Sequence, residues 1–109
     1  MSDLTKITKE IIKFRNERDW EKFHNPKDLA LAINIEAGEL LELFLWKEAG
    51  EANQAKIKEE LADIFCYAFL MAENYGFDIK QIILDKIKLN AEKYPVEKSK
   101  GTSKKYNEL

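Results

Sequence analysis

The sequence predicts an all-α protein, a four-helix bundle followed by a polar C-terminal tail. Three observations carry that prediction. Apolar residues recur at three- and four-residue steps in four separate segments. Residues that start and stop helices fall between those segments. No stretch alternates apolar and polar residues with the period of two that a half-buried strand requires.

In the first segment Leu4, Ile7, Ile11 and Phe14 form one stripe, so a helix is expected from Asp3 to about Arg18, capped by Ser2 or Asp3. An aromatic-rich connection, DWEKFHNP, ends in Asn25-Pro26, an N-cap followed by the residue favoured at the first helical position. The second helix starts there, places Leu29, Ile33, Ala37, Leu40 and Phe44 on one stripe, and is expected to run to Ala49-Gly50. The third, after Asn53-Gln54, carries Ile57, Leu61, Ile64, Phe65, Ala68, Met71, Ala72 and Tyr75 and closes at Gly76. Asp78 and Gln81 resemble a capping box, and Ile79, Ile82, Ile83 and Ile87 carry the fourth helix to about Lys93, before Tyr94-Pro95. Residues 96–109 lack an apolar period and read as a tail or strap, leaving residues 1–95 as the helical domain.

Composition narrows the chemistry. A length of 109 residues fits one core. The 18 basic and 20 acidic side chains leave a net charge of -2, so no global positive field argues for stable nucleic-acid binding. One cysteine, Cys66, excludes an internal disulfide and a Cys-rich zinc site, and fits a reducing cytoplasm. One histidine, His24, excludes a multi-His metal site and weakens any Ser-His-Asp arrangement. No segment approaches the roughly 20 apolar residues of a membrane span, so a soluble cytoplasmic protein without membrane partners is expected.

The acids are therefore the feature to explain. Glu36 has Leu29, Ile33, Leu40 and Leu43 as same-face neighbours, and Glu39 has Ala32, Ile35, Leu43 and Trp46, so both lie among apolar residues. Glu60 and Asp63 repeat the three-residue spacing on the next helix, flanked by Ile57, Ile64, Tyr67 and Leu70. An unpaired buried carboxylate costs several kcal/mol, and close pairs repel or share a proton. Two antiparallel helices with such pairs facing one another would enclose a cation site. All-oxygen, highly acidic ligands favour a hard divalent ion, Mg²⁺ above Ca²⁺, with Mn²⁺ as the expected substitute. The competing reading leaves these acids solvated or paired with lysines. A di-iron bundle would need two Glu-x-x-His elements, which one histidine cannot supply.

Lys86, Asn90, Lys93 and Tyr94 lie along one face near the end of the fourth helix, where they could bind the anionic oxygens of a polyphosphate. Lysines there also offset the helix dipole, an equally simple explanation. Trp46 lies seven residues beyond Glu39, roughly 10 Å along the axis, about the separation of phosphates and base in a nucleotide. Trp20, Phe23 and His24 precede the second helix and could stack on a base or read its edge.

With these residues, the sequence resembles the all-α nucleoside triphosphate pyrophosphohydrolases of the MazG-like superfamily, in particular the branch typified by dCTP pyrophosphatases. The signature is Glu36-Ala-Gly-Glu39 followed by Glu60-Leu-Ala-Asp63, and the similarity extends through FRNERDWEKFHNPKDLALAINIEAGELLELFLWK, EELADIFCYAFLMA, KIKLNAEKYPV and SKGTSKKYNEL. The resemblance implies that Glu36, Glu39, Glu60 and Asp63 bind Mg²⁺, that Lys86, Asn90, Lys93 and Tyr94 surround the phosphates, and that Trp20, His24, Trp46 and Tyr67 form the base pocket. Lys93 and Lys100 stand where arginine is common. Lys100, Lys105 and Tyr106 match a tail that can fold toward the phosphates.

The implied reaction cleaves a nucleoside triphosphate between its α and β phosphates, with Glu36 or Glu39 as base or water-orienting group. The best substrate expectation is dCTP or a modified dCTP, in a role of nucleotide-pool house-cleaning. dUTP or broad triphosphate specificity is the first alternative, and a metal-free helical interaction module the second. The resemblance implies homodimers, often paired into tetramers. The sequence adds its own support, because Leu40, Leu41, Leu43, Phe44 and Leu45 surround the second helix with more apolar surface than one small chain can bury.

Overall fold

The computed structural model describes residues 1–109. The chain is all-α, as the periodicity predicts: four substantial helices, α1 (Asp3–Glu17), α2 (Pro26–Glu42), α3 (Gln54–Tyr75) and α4 (Ile79–Lys93), then the one-turn α5 (Val96–Ser99). Single 3₁₀ turns at Glu21–Phe23, Ala49–Glu51 and Tyr106–Glu108 complete it, and there is no strand. No helix is long and apolar enough to cross a membrane. The chain divides into two compact units, Met1–Phe77 and Asp78–Leu109.

The helix starts are set by side-chain caps. Ser2, Asn25, Asn53 and Asp78 each accept a hydrogen bond from a backbone N–H in the first turn of α1, α2, α3 and α4, and Pro26 opens α2. α3 ends on Gly76 at φ 71°, whose N–H donates to the carbonyls of Ala72 and Glu73. A Cβ there would meet nothing within 4 Å, so only the left-handed backbone opposes a side chain. Gly76→Ala should therefore cost about 1 kcal/mol, seen as a fall of several degrees in Tm.

α2 is shorter than its apolar pattern implies. It ends at Glu42, because the next residues tighten into i to i−3 bonds: Leu43 N–H to Leu40 at 3.2 Å, Phe44 to Leu41 at 3.0 Å and Leu45 to Glu42 at 3.1 Å. Trp46, at φ 59°, then turns the chain away. Apolar periodicity reports a face, and does not reveal a change in backbone bonding.

The first unit is built on α3, against which α2 packs most extensively and α1 also packs. Leu29, Leu70 and Ala72 are its buried helical apolar side chains, Leu29 fully so. On α1 the inward stripe is Leu4, Thr8, Ile11, Ile12 and the buried Arg15, while Ile7 and Phe14 are about half exposed. The packed face is thus rotated from the one the apolar residues alone outline.

Candidate active site

The facing helices α2 and α3 bring together Glu36, Glu60 and Asp63. Each offers one carboxylate oxygen, and those three oxygens lie within 4.8 Å of one another. Glu36 and Glu60 are half-buried, while Asp63 is exposed. Oε2 of Glu36 and Oε2 of Glu60 are buried without a hydrogen-bond partner. Such oxygens demand either a proton or a cation. Within Met1–Phe77 the ion pairs are Arg15–Glu21, Arg15–Glu73 and Lys22–Asp19, and none involves these acids.

Without a cation, a proton takes its place. Glu36 is raised from the ordinary 4.5 to about 8, first because its protonated carboxyl donates to Glu60, then through burial and through Glu39. Glu39 is exposed and stands outside the three-oxygen cluster, but it is close enough to press on Glu36. The two orphaned oxygens and the purely anionic donor set fit a hard divalent cation.

A pocket of about 500 Å³ shares Asp63 with this cluster. α3 contributes Asp63, Cys66, Tyr67 and Leu70, α1 contributes Glu10, Ile11, Phe14 and Arg15, and the intervening segment contributes Trp20 and His24. Trp20 is fixed by its N–H donating to the Arg15 carbonyl at 3.1 Å and by edge contact with Phe14, ring centroids 5.8 Å apart. His24 meets Tyr67 edge-on at 6.1 Å. Burial, then the charge of Arg15, lowers the His24 pKa and favours the neutral imidazole. Burial first, then the neighbouring acids, raises Tyr67, and burial followed by Asp63 raises Cys66, which keeps both protonated. The thiol is therefore no activated nucleophile.

Of the five aromatic residues offered from the sequence for the base, Trp20, His24 and Tyr67 line this one pocket, and the exposed Phe23 lies outside it. So does Trp46, which is 94% exposed. Arg15, Phe14 and Cys66 also line the pocket and were not singled out by sequence. Arg15 had a legible signal, lying four residues beyond Ile11 on the inward stripe of α1.

In the second unit, Lys86, Asn90 and Lys93 lie on exposed positions of α4, and the Tyr94 N–H donates to the Asn90 carbonyl at 2.8 Å. Tyr106 returns to that helix end. Its ring meets Tyr94 edge-on at 6.3 Å, and Lys93 Nζ lies 5.1 Å from its centroid. Lys100 caps α5 and Lys105 precedes the last turn. The chain thus gathers Lys93, Tyr94 and Tyr106, with Lys86 further back along α4.

The family model described as MazG-like matches residues 31–109, a span that contains both acid pairs and the whole of the second unit. The chain belongs to the MazG-like family. It is 39% identical to dCTP pyrophosphatase 1 of Homo sapiens and 41% identical to that of Bos taurus, each over 105 residues and 89% of this chain. It spans 62% of the length of those relatives. A crystal structure of a pyrophosphatase from Archaeoglobus fulgidus superposes with a TM-score of 0.81 at 29% identity, covering 87% of this chain and 94% of that one. Trp20 and His24 precede the span matched by the family model, and the folded geometry brings them into the pocket.

Proposed function

We propose that this chain is a Mg²⁺-dependent nucleoside triphosphate pyrophosphohydrolase that converts a deoxynucleoside triphosphate to monophosphate and pyrophosphate. dCTP or a modified dCTP is the favoured substrate, and nucleotide-pool house-cleaning the role. The observation that carries this reading is a cluster of three carboxylates, two with unpartnered buried oxygens, sharing Asp63 with an aromatic pocket. The similarity to dCTP pyrophosphatases supports the choice of base. Mn²⁺ is expected to substitute for Mg²⁺, and residues 96–109 to serve as a tail to the catalytic domain at 1–95.

Glu36, Glu60 and Asp63 would hold the metal, with Glu39 completing the acidic set. When bound, the ion supplies charge neutralisation at the phosphoryl oxygens and lowers the pKa of a bound water. Glu39 is the favoured proton acceptor, because it is exposed and outside the tight cluster, while Glu36 is committed to its partners. Trp20 and Tyr67 offer aromatic surface to the base, and neutral His24 a polar edge. Lys86, Asn90, Lys93, Tyr94, Lys100, Lys105 and Tyr106 supply donors for the phosphates, and Trp46 further aromatic surface.

Homodimers, or dimers of dimers, accompany this reading. Leu41, Leu45 and Trp46 of the α2 end and Phe65 of α3 are more than half exposed, as are Ile83 and Ile87 of α4. Assembly of copies would remove this apolar surface from water.

The deciding assay offers the four dNTPs, dUTP and modified dCTP with Mg²⁺ and resolves the products. Monophosphate plus pyrophosphate is expected, most efficiently from the cytosine substrates; diphosphate plus phosphate would refute the cleavage site. A flat profile, or a preference for dUTP, would favour the broader alternatives. Thermal unfolding separates the enzyme from a metal-free interaction module. Millimolar Mg²⁺ should raise Tm by several degrees and EDTA reverse it, whereas the module predicts no response.

A further inference from the structure

Arg15 is a buried charge that the reaction as proposed leaves without a task. It is 7% exposed and lines the pocket with Trp20, His24 and Asp63. A guanidinium carries five N–H donors. Here Nε donates to Asn16 Oδ1 at 3.0 Å, while the two terminal nitrogens meet only Glu73 at 3.7 Å and Glu21 at 3.9 Å. Those carboxylates offset the charge but are too distant to accept hydrogen bonds. The terminal N–H groups therefore keep donor capacity toward the pocket that a ligand's acceptors can take up.

Its place along the pocket indicates which part of a ligand it meets. Asp63 and Leu70 mark the pocket's extent on α3, about 10 Å along the helix axis. Glu73, the partner of Arg15, lies three residues beyond Leu70, so Arg15 stands at the end opposite the acidic cluster. With phosphates held near Asp63, that end receives the base. Trp20 and Phe14 flank it with aromatic surface.

Resting on the pyrophosphohydrolase reading, we propose that Arg15 is a specificity-determining residue whose terminal nitrogens donate to two adjacent acceptors on the nucleobase edge. A planar fork fits such a pair. Cytosine offers O2 beside N3 and guanine offers O6 beside N7. In adenine, N1 and N7 each neighbour the amino group, and in thymine each carbonyl neighbours N3–H, so in both a donor opposes one arm of the fork. The neutral state of His24 leaves the guanidinium as the pocket's cation.

The test compares wild type, Arg15→Lys and Arg15→Met for pyrophosphate release from dCTP, dGTP, dATP and dTTP, and for binding of dCMP and dAMP without metal by tryptophan fluorescence. Arg15→Met should lower kcat/KM for dCTP and dGTP by about 10- to 100-fold, and for dATP and dTTP by less than about 3-fold. Arg15→Lys, a point charge in place of a fork, should fall between. A merely structural arginine would lower all four together, and that result would overturn the proposal. If Arg15→Met does not fold, Arg15→Lys decides it: the dCTP to dATP ratio should drop at least about fivefold, and an unchanged ratio refutes the inference. Should wild type release no pyrophosphate, the enzymatic reading fails on its own. The inference then stands if wild type binds dCMP over dAMP and loses that preference in the variant, and falls otherwise.

Discussion

Glu36→Gln is expected to lower kcat/KM by about 10³-fold or more while making the metal-free protein more stable at pH 8. Both effects come from one carboxylate. Glu36 contributes an oxygen to the cluster with Glu60 and Asp63, and an amide there is neutral and a weaker ligand for a hard cation. In the metal-free protein, however, the charge is a liability. The folded Glu36 pKa is raised to about 8 from 4.5, so the folded state binds more protons than the unfolded chain between those values. Its contribution to stability is fully present below about 4.5 and is lost as pH rises through about 8. Gln carries no titrating proton and imitates the protonated acid. Thermal melts in EDTA from pH 5 to pH 9 should therefore show a fall in Tm for wild type and a flatter profile for Glu36→Gln. Equal pH slopes in the two proteins would contradict the raised pKa, and near wild-type turnover would remove Glu36 from the metal site.

Glu39→Gln is the second large effect: turnover should fall by about 10²- to 10⁴-fold, with the protein folded and its Mg²⁺-induced stabilisation largely kept. The exposure of Glu39 and its position outside the three-oxygen cluster separate it from the residues committed to the cation. An amide at an exposed helical position disturbs packing little, so a folded, metal-responsive, inactive protein is the expected outcome. Loss of the Mg²⁺ response together with turnover would make Glu39 a principal ligand, and near wild-type activity would exclude it as the base.

Much of the fold was legible because helix boundaries depend on local chemistry. Ser2, Asn25-Pro26, Asn53, Gly76 and Asp78 act within a few residues of themselves, through caps and a left-handed backbone. The end of α2 was less legible, since the apolar stripe continues through Phe44 while the backbone tightens and Trp46 reverses the chain. The rotated inward face of α1 also escaped the pattern. Thr8 and Arg15 turn inward and Phe14 stays half exposed, according to what α3 presents to them.

The acid pairs were visible in the sequence because a three-residue spacing places two side chains on one helix face whatever surrounds the helix. That spacing, with the four-helix periodicity, indicated a candidate cation site, while the family rested on a resemblance that extends over nearly the whole chain. The tertiary structure decided which acids meet: Glu36, Glu60 and Asp63 converge, while Glu39 remains at the edge. It also joined Arg15, Trp20, His24 and Tyr67 into one pocket, residues separated by up to about fifty positions. Local spacing fixes direction around a helix axis, whereas convergence depends on how two axes pack, which no single segment encodes.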